Sequence, residues 1–263
     1  MAMLEIQSLR KAFSGQGRQV EALKDISFRV EAGDFVCVVG PSGCGKTTLL
    51  KAIAGLLSPT SGSVSLQGRA VSGPTDGMAV VSQEYSRSLF PWYSVRRNIE
   101  LPLMHLISSK AERRQTVDEA LAAVGLEGAG SAYPWQLSGG MQQRVAIARA
   151  VAFKPLLLLM DEPFAAVDAQ TRADLEDLTR SLWQTSGVTT LLVTHDIDEA
   201  VYLGQRVIVL SKSPTVVKDD IGIDLPVERD QAATRADPRF VELRTRILNQ
   251  IRRTREAAGT GAS

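Results

Sequence analysis

The stretch that decides the fold reads Phe35-Val-Cys-Val-Val-Gly-Pro-Ser-Gly-Cys-Gly-Lys-Thr47. Its first five residues form a continuous apolar run, which is typical of a strand buried on both faces of a parallel sheet. The rest matches the phosphate-loop pattern of Gly, four residues, Gly, Lys and Thr, with a helical pattern after it. Glycines let backbone N–H groups point at phosphate oxygens, and the positive end of the helix points to the same place. We therefore expect a nucleotide phosphate to bind here.

The side chains of this loop have separate tasks. Lys46 would place its charge beside the β and γ phosphates, and the Thr47 hydroxyl would complete the oxygen shell of a Mg²⁺ ion. Cys44 adjoins a helix N-terminus, where a thiolate is favoured, so we expect its alkylation to block nucleotide binding. Cys37, within the apolar strand, is expected to be inert core. The candidate nucleotide-binding residues of the loop are Gly40, Pro41, Ser42, Gly43, Cys44, Gly45, Lys46, Thr47 and Thr48.

Further apolar runs alternate with helical patterns along the chain. The strand candidates are Ala79–Val81, Leu156–Met160 and Leu191–Val193, and the helix candidates are Gly45–Leu57, Thr171–Thr185 and Ile197–Leu203. Asp196 and Glu199 are placed as a capping pair for the last helix. Strands that alternate with helices predict an α/β fold with a mainly parallel sheet. Residues Ala22 to Val30 alternate apolar and polar, which predicts a half-exposed antiparallel strand.

One region interrupts this alternation. Roughly from Ser88 to Phe153 no convincing strand is found, but several helical patterns are, one of them opened by Ser109 with Glu112 three residues later. We interpret residues 88–153 as an inserted helical subdomain, residues 1–87 and 154–215 as the α/β core with an antiparallel β part, and residues 216–263 as a short C-terminal extension. Within the extension, the stretch from about Pro238 to Arg255 is helical in pattern and rich in arginine, which favours a solvated helix face or, alternatively, contact with an anionic partner.

A phosphate loop requires acidic residues elsewhere in the chain. Asp161 and Glu162 follow the apolar run at 156–160, at the carboxyl end of a predicted buried strand, where α/β sheets hold ligands. Asp161 would hold Mg²⁺ directly or through water. Glu162 would polarise the attacking water as a general base.

The signature segment, Leu137-Ser-Gly-Gly-Met-Gln-Gln-Arg144, separates the possible classes of nucleotide enzyme. Ser138, Gly139 and Gly140 at a helix N-terminus offer a second surface of backbone N–H groups for phosphate. This segment resembles the LSGGQ signature of the ATP-binding-cassette (ABC) family, with Met141 in place of the usual Gln. Other motifs of that family follow its order: Gln83 after a strand, Ala165-Ala-Val-Asp168 after Glu162, and His195 after the last strand candidate. The resemblance covers about residues 3 to 215.

The resemblance implies a P-loop NTPase core that binds ATP and Mg²⁺. It implies that two cassettes pair head to tail and that each ATP is trapped between one subunit's phosphate loop and the other's Ser138 segment. Glu162 and His195 would be catalytic, with His195 at the γ phosphate, while Gln83 would touch Mg²⁺ and Asp168 would belong to the ATP site. Phe13 is at the position where the family stacks an aromatic ring on adenine; the alternative is a core Phe at a strand end.

Composition limits the remaining function classes. Of the 263 residues, 30 are Lys or Arg and 29 are Asp or Glu, so the net charge is +1 and the chain has no electrostatic footprint for nucleic acid. The hydrophobic fraction of 44% excludes a disordered tail protein. The longest apolar runs are too short to span a bilayer, and the start of the chain lacks a signal-peptide pattern. Two cysteines indicate a reducing compartment. We therefore expect a cytoplasmic protein.

Three classes of ABC ATPase compete. A transporter subunit would dock onto separate membrane proteins, and we expect it peripherally on the cytoplasmic face of the cell membrane. A soluble translation factor usually carries two cassettes, and this chain has one set of motifs. A DNA-maintenance ATPase inserts a long coiled coil between loop and signature, whereas Lys46 and Ser138 are only 92 positions apart with no heptad run. We expect the first class, built as an importer, and keep the soluble classes as the alternative.

The segment after Gln83 is the predicted docking surface for the membrane permease. Its aromatic and apolar residues are Tyr85, Leu89, Phe90, Pro91 and Trp92. In the family a cleft here receives a short helix of the permease, and aromatics are common interface anchors; a local minicore is the alternative. Stretches such as Ser88-Leu-Phe-Pro-Trp92 and Leu225-Pro-Val-Glu-Arg229 look like the nitrate, sulfonate and taurine importer group. A solute-binding protein would act only indirectly, and both half-sites look intact, which favours a homodimer.

Overall fold

The computed structural model describes residues 2–15, 18–84 and 88–256. The strands in this part of the chain are β1 (Ala2–Gly15), β2 (Arg18–Glu31), β3 (Phe35–Val39), β4 (Ser61–Leu66), β5 (Arg69–Ala70), β6 (Met78–Val81), β7 (Leu157–Asp161), β8 (Thr189–Thr194), β9 (Arg206–Leu210) and β10 (Thr215–Gly222). The helices are α1 (Lys46–Ile53), α2 (Val95–Glu100), α3 (Lys110–Ala123), α4 (Gly139–Ala152), α5 (Ala169–Ser186), α6 (Ile197–Leu203), α7 (Gln231–Ala236) and α8 (Pro238–Glu256). Short 3₁₀ turns lie at Leu101–Leu103, Glu127–Ala129 and Pro134–Gln136.

Contacts divide the chain into two units, the first from residue 1 to 76 and from 189 to 263, the second from 77 to 188. In the first unit the strand order is β5-β4-β1-β2-β10-β9-β3-β8. β3 pairs in parallel with both β8 and β9, while β1 pairs antiparallel with β2 and β4. All five residues of β3 are buried, as expected for the apolar run that begins at Phe35. This unit therefore joins a parallel core to an antiparallel β part.

The second unit is mainly helical. Its strands β6 and β7 pair in parallel, and α2 and α3 pack on α4. The side-chain oxygens of Ser109, Ser138 and Asp168 accept hydrogen bonds from backbone N–H groups at the starts of α3, α4 and α5. Such caps satisfy N–H groups that the helix itself leaves without a partner, each at about 1 kcal/mol.

The predicted α/β fold is confirmed, with a strand at each of the three apolar runs and a helix at each of the three helical patterns. The alternating stretch from Ala22 lies in β2, which is antiparallel to β1 as predicted. β10 crosses the predicted start of the C-terminal extension at residue 216 and joins the sheet of the first unit. Within the described residues, no helix is both long and apolar enough to cross a membrane.

Candidate active site

The phosphate loop runs from the end of β3 to the start of α1. A Cβ atom on Gly40 would lie 2.9 Å from Cys44 Sγ and 3.0 Å from Leu210 Cβ, so a larger residue would require these neighbours to shift. Gly45, which precedes α1, has φ of +100°, a conformation that glycine adopts without strain. The loop glycines that the sequence singles out are thus required by close packing at one end and by backbone conformation at the other.

Lys46 lies folded along the loop. Its Nζ atom donates to the carbonyl oxygens of Gly40, at 3.0 Å, and Pro41, at 3.3 Å, and its side chain is 6% exposed. An ammonium group has three N–H donors, and the two bonds to loop carbonyls hold the positive charge of Lys46 inside the loop. Thr47, one residue further on, lies exposed in the first turn of α1. The positive end of that helix and Lys46 together favour a bound anion.

Thr215 anchors the loop, and sequence reasoning missed it. It is fully buried at the start of β10, and its hydroxyl donates to the backbone carbonyl of Cys44. The Cys44 side chain is only 1% exposed. Burial keeps reagents away from the Cys44 thiol and so counts against its ready alkylation, while the expected block of nucleotide binding by alkylation stays a prediction. Cys44 shapes the loop through its backbone, and Cys37 is buried core as expected.

His195 leaves the sheet beside the phosphate loop. In the parallel pair of β3 and β8, Val39 is opposite Thr194, so Gly40 and His195 follow adjacent strands at the same carboxyl edge. The His195 side chain is exposed. Its backbone is held from both sides, since Thr194 Oγ1 donates to Glu199 Oε2 at 2.9 Å and accepts from Asp196 N at 3.0 Å.

The predicted cap of α6 is confirmed for Asp196, whose Oδ1 accepts from the N–H groups of Asp198 and Glu199 at 2.9 and 3.2 Å. The Glu199 carboxylate, predicted as the second half of the cap, is 4% exposed and bonds Thr194. The turn that carries His195 is therefore built from the strand before it and the helix after it.

Phe13 lies in the β1–β2 hairpin, opposite Val20. Its side chain is 43% exposed, and Lys11 Nζ lies 5.2 Å from the ring centroid. The alternative that Phe13 is a core residue is therefore wrong. An exposed ring with a cation at one face retains the other face for a flat ligand.

The acidic residues lie on the second unit. Val81 of β6 is opposite Met160 of β7 in a parallel pair. Gln83, Asp161 and Glu162 therefore all lie at the carboxyl ends of these two strands. Asp161 is 7% exposed at the end of β7, and Gln83 is exposed. Glu162 has φ of +44°, a left-handed conformation that is strained for a non-glycine residue. Strain of this kind is concentrated at functional sites, where the surrounding structure holds a side chain in a required direction.

The signature segment forms the start of α4. Ser138 Oγ accepts from Met141 N at 3.3 Å, so Met141 contributes a backbone group and its side-chain difference from the usual Gln leaves the cap intact. Ser138 and Gly139 are exposed. A Cβ atom on Gly140 would lie 2.4 Å from Thr171 Cγ2, so only glycine fits against α5.

Thr171 also connects this segment to Asp168. The Asp168 carboxylate accepts from Thr171 N at 3.0 Å and from Thr171 Oγ1 at 2.7 Å. These hydrogen bonds lower the pKa of the Asp168 carboxyl below its usual value, and the bond from the Thr171 backbone N–H has the largest effect. Asp168 is therefore an ionised helix cap next to the signature segment.

The predicted docking segment has a buried and an exposed part. Tyr85 lies outside the described residues. Leu89 is buried, so the minicore alternative holds for that residue, whereas the Trp92 side chain is 67% exposed. The rings of Phe90, Trp92 and Tyr93 form a cluster with centroids 5.6 to 6.3 Å apart. Asn98, fully buried on α2, orders this turn by four hydrogen bonds to its backbone, a role that sequence reasoning missed.

A cavity of about 330 Å³ opens on the same unit. Its lining is mostly apolar and consists of Met78, Ala79, Val80, Leu101, Pro102, Arg149, Ala150 and Phe153. Arg149 donates to the carbonyl and the hydroxyl oxygen of Ser88 at 2.7 and 2.9 Å, and burial lowers the pKa of its guanidinium. Arg149 thus connects the cavity wall to the first residue of the described docking segment.

Comparison with known proteins agrees with these features. The family model described as ABC transporter matches residues 23–165, more than half of the chain. The chain belongs to the ABC transporter family. Nitrate import ATP-binding protein NrtD of Synechocystis sp. is 44% identical over 254 residues, with 95% of each chain covered. Aliphatic sulfonates import ATP-binding protein SsuB of Bacillus licheniformis is 43% identical over 251 residues, again with 95% of each covered.

A solved ABC structure gives the same result. The dimeric, post-hydrolysis structure of the ATP-binding cassette MJ0796 bound to ADP and Pi superposes with a TM-score of 0.75 at 33% identity. The match covers 85% of this chain and all of that one. As a member of this family, the chain is an ATP-binding and ATP-hydrolysing protein. The phosphate loop, the acidic pair and the signature segment are therefore read as parts of an ABC ATPase.

Proposed function

We propose that this ABC chain is the ATP-hydrolysing subunit of a membrane importer for a small solute of the nitrate, sulfonate or taurine class. The observation that carries the ATP-hydrolysing part of the proposal is the parallel pairing of β3 with β8, which brings the phosphate loop and His195 to adjacent strand ends. The names of NrtD and SsuB, both import ATP-binding proteins, support uptake as the direction of transport and small anions as the solute class.

On the first unit, the loop binds the phosphates of ATP. Backbone N–H groups of residues 43–48 surround the β and γ phosphates, and the Lys46 ammonium exchanges its loop carbonyls for phosphate oxygens. His195 contacts a γ-phosphate oxygen and keeps the attacking water aligned. The exposed ring of Phe13 stacks on adenine. These contacts neutralise the charge of the triphosphate and orient it, and enzymes catalyse phosphoryl transfer mainly by positioning and charge stabilisation of this kind.

On the second unit, Glu162 accepts a proton from the attacking water. The water oxygen forms a bond to the γ phosphorus while the bond from that phosphorus to the bridging oxygen breaks, which yields ADP and inorganic phosphate. The left-handed backbone of Glu162 fixes the direction of its carboxylate. Glu162 is therefore the residue whose loss should stop hydrolysis and spare binding.

The residues fit a Mg²⁺ ion that accompanies ATP. Mg²⁺ prefers oxygen ligands, usually one or two carboxylates with water and phosphate oxygens. Within the second unit, the Asp161 carboxylate and the Gln83 amide oxygen follow one strand edge and would supply oxygens of this kind. Thr47 keeps its predicted role as a Mg²⁺ ligand through its exposed hydroxyl. When bound, the ion supplies positive charge that offsets charge on the phosphate oxygens.

The assembly we propose is a head-to-tail homodimer. The exposed Ser138 and Gly139 at the start of α4 offer N–H groups to the ATP held by the phosphate loop of the second copy. The dimeric MJ0796 cassette, with ADP and Pi bound, supports this arrangement. Each copy then completes the other's site.

The permease partner docks on the second unit, at the cytoplasmic face of the cell membrane. Trp92 offers an exposed aromatic anchor, and the apolar cavity beside β6 and α4 has room for side chains of a short permease helix. A solute-binding protein would reach the permease and make no contact with this chain.

The test is affinity purification of a tagged chain from detergent-solubilised membranes, with mass spectrometry of the proteins that come with it. We expect a polytopic permease with the unmodified chain, and a recovery at least fivefold lower with Trp92→Ala, because an interface anchor contributes about 2 kcal/mol. Val241→Ala, at an exposed apolar side chain on α8, is the matched control. Recovery of ribosomal or DNA-bound proteins without a permease would contradict the importer proposal and favour the soluble ABC ATPases.

A further inference from the structure

The helix that follows His195 is held at its end by an arginine from the C-terminal part of the chain. Arg229 Nη1 donates to the backbone carbonyls of Val201, at 3.0 Å, Tyr202, and Gly204, at 3.1 Å. The last carbonyls of a helix have no partner within the helix, so a cation placed there satisfies them and opposes the negative end of the helix dipole. Arg229 is thus a side-chain cap for α6.

Further contacts join the same two regions. Tyr202 is fully buried, its hydroxyl donates to the carbonyl of Arg229 at 3.4 Å, and the Arg235 guanidinium lies 5.4 Å from its ring centroid. At the other end of α6, Arg244 Nε lies 2.9 Å from Asp198 Oδ1. The C-terminal segment therefore contacts α6 at its first turn and at its last turn.

The first turn of α6 in turn sets the backbone of His195. Asp196 accepts hydrogen bonds from the N–H groups of Asp198 and Glu199, and Glu199 bonds Thr194 on the other side of His195. A shift of α6 along its axis would break these bonds and move His195. The helix is only seven residues long, so it has little stability of its own and depends on such external contacts.

We propose that Arg229 and Arg244 form a C-terminal brace that positions His195 for ATP hydrolysis by fixing both ends of α6. Neither arginine touches the nucleotide, so both are positioning residues. The proposal rests on the role given to His195 under the proposed function. It assigns a function to the C-terminal extension, whose arginines the sequence alone left as a solvated face or an anionic contact.

The test measures steady-state ATP hydrolysis by the full chain. Arg229→Met keeps the aliphatic stem and removes the donors, so we expect kcat to fall about five- to tenfold while KM for ATP stays within about twofold, because the phosphate loop is untouched. Arg229→Lys keeps a charged donor and should recover at least half of the lost kcat. Arg246→Ala is the matched control, since Arg246 contacts Asp219 of β10 at 3.5 Å and should leave kcat unchanged.

A second readout follows the His195 imidazole by NMR. The chain has two histidines, His105 and His195, so each ring signal is assignable and His105 serves as an internal reference. We expect the His195 signal to shift in Arg229→Met and to return towards its original position in Arg229→Lys. If Arg229→Met does not fold, Arg244→Ala replaces it, because the Arg244 side chain is 51% exposed. We then expect kcat to fall at least twofold and the His195 signal to shift in the same direction.

Two outcomes would overturn the brace. The first is that Arg229→Met, or Arg244→Ala in its place, shows the same kcat and the same His195 signal as Arg246→Ala. The second is that kcat falls equally in Arg229→Lys and Arg229→Met and that ATP affinity falls by the same factor as kcat. This result would show a general structural role for Arg229. His195→Ala separates this proposal from the one it rests on. If His195→Ala hydrolyses ATP at the normal rate, the role of His195 fails; if it is inactive while Arg229→Met is normal, only the brace fails.

Discussion

At the scale of single residues, the phosphate loop depends on one cation. Lys46 is the residue of the loop that carries a formal positive charge, and it is held by Gly40 and Pro41 at nearly complete burial. A buried cation in hydrogen-bond contact with an anion gives a strong, charge-assisted interaction. Most of the affinity for the γ phosphate should therefore be lost with this side chain, while the fold of the loop is kept by its glycines and by Thr215.

We accordingly expect Lys46→Ala to lower ATP affinity at least tenfold, about 1.4 kcal/mol or more. The measurement is a titration with a fluorescent ATP analogue. Lys51→Ala is the matched control, because Lys51 is exposed on the same helix α1 and should leave the affinity unchanged. Equal affinities of the two variants would show that Lys46 does not bind phosphate.

At the scale of elements, α2 orders the turn that presents the docking segment. Asn98 Nδ2 donates to the carbonyls of Phe90, Tyr93 and Ser94, each at 3.1 Å, and its Oδ1 accepts from Phe90 N at 2.8 Å. The carbonyls of Phe90 and Ser94 also accept from Tyr93 N and Asn98 N, so removal of the amide mainly affects Phe90 N and the Tyr93 carbonyl. The exposed position of Trp92 depends on this turn.

Asn98→Ala should therefore lower the free energy of unfolding of the second unit by about 2 kcal/mol, because two part-buried backbone groups lose their bonds to the amide. Urea unfolding followed by tryptophan fluorescence is suited to this, because Trp92, Trp135 and Trp183 all lie in the second unit. Asn249→Ala, at an exposed position on α8, is the control. An unchanged midpoint for Asn98→Ala would mean that the turn is held by other contacts.

At the scale of the whole molecule, the proposed head-to-tail dimer would couple hydrolysis to assembly through ATP. If Ser138 of one copy binds the ATP held by the other, the dimer lasts as long as the γ phosphate is intact. Glu162→Gln keeps the shape of the side chain but removes the base, so ATP binds and is not cleaved. The variant should then accumulate as an ATP-bound dimer.

Size exclusion with ATP tests this. We expect Glu162→Gln to elute at twice the monomer mass with ATP and as a monomer with ADP. The double variant that also carries Lys46→Ala is the control and should stay monomeric at an ATP concentration that is just sufficient for the single variant, because its affinity for ATP is at least tenfold lower. A single variant that remains monomeric with ATP would contradict the head-to-tail dimer.

What the sequence could determine by itself was the chemistry that depends on residue type at fixed spacing. The phosphate binding proposed for the loop from Gly40 to Thr47 and for the segment that begins at Ser138 relies on backbone groups of each segment, so a local pattern is enough to predict it. The same holds for the buried strands, since continuous apolar runs predict them. The alternatives for Phe13 stayed open, because exposure of a ring at a strand end depends on what packs over it.

Only the tertiary structure decided which distant residues support these motifs. Thr215 bonds Cys44 from 171 positions away, and the pairing of Val39 with Thr194 sets His195 beside the loop. The burial of Cys44, which counts against its ready alkylation, is likewise produced by neighbouring elements. The cap that Arg229 places on α6 also joins separate elements. Such contacts leave no periodic or local pattern in a single sequence, since chain folding alone brings their partners together.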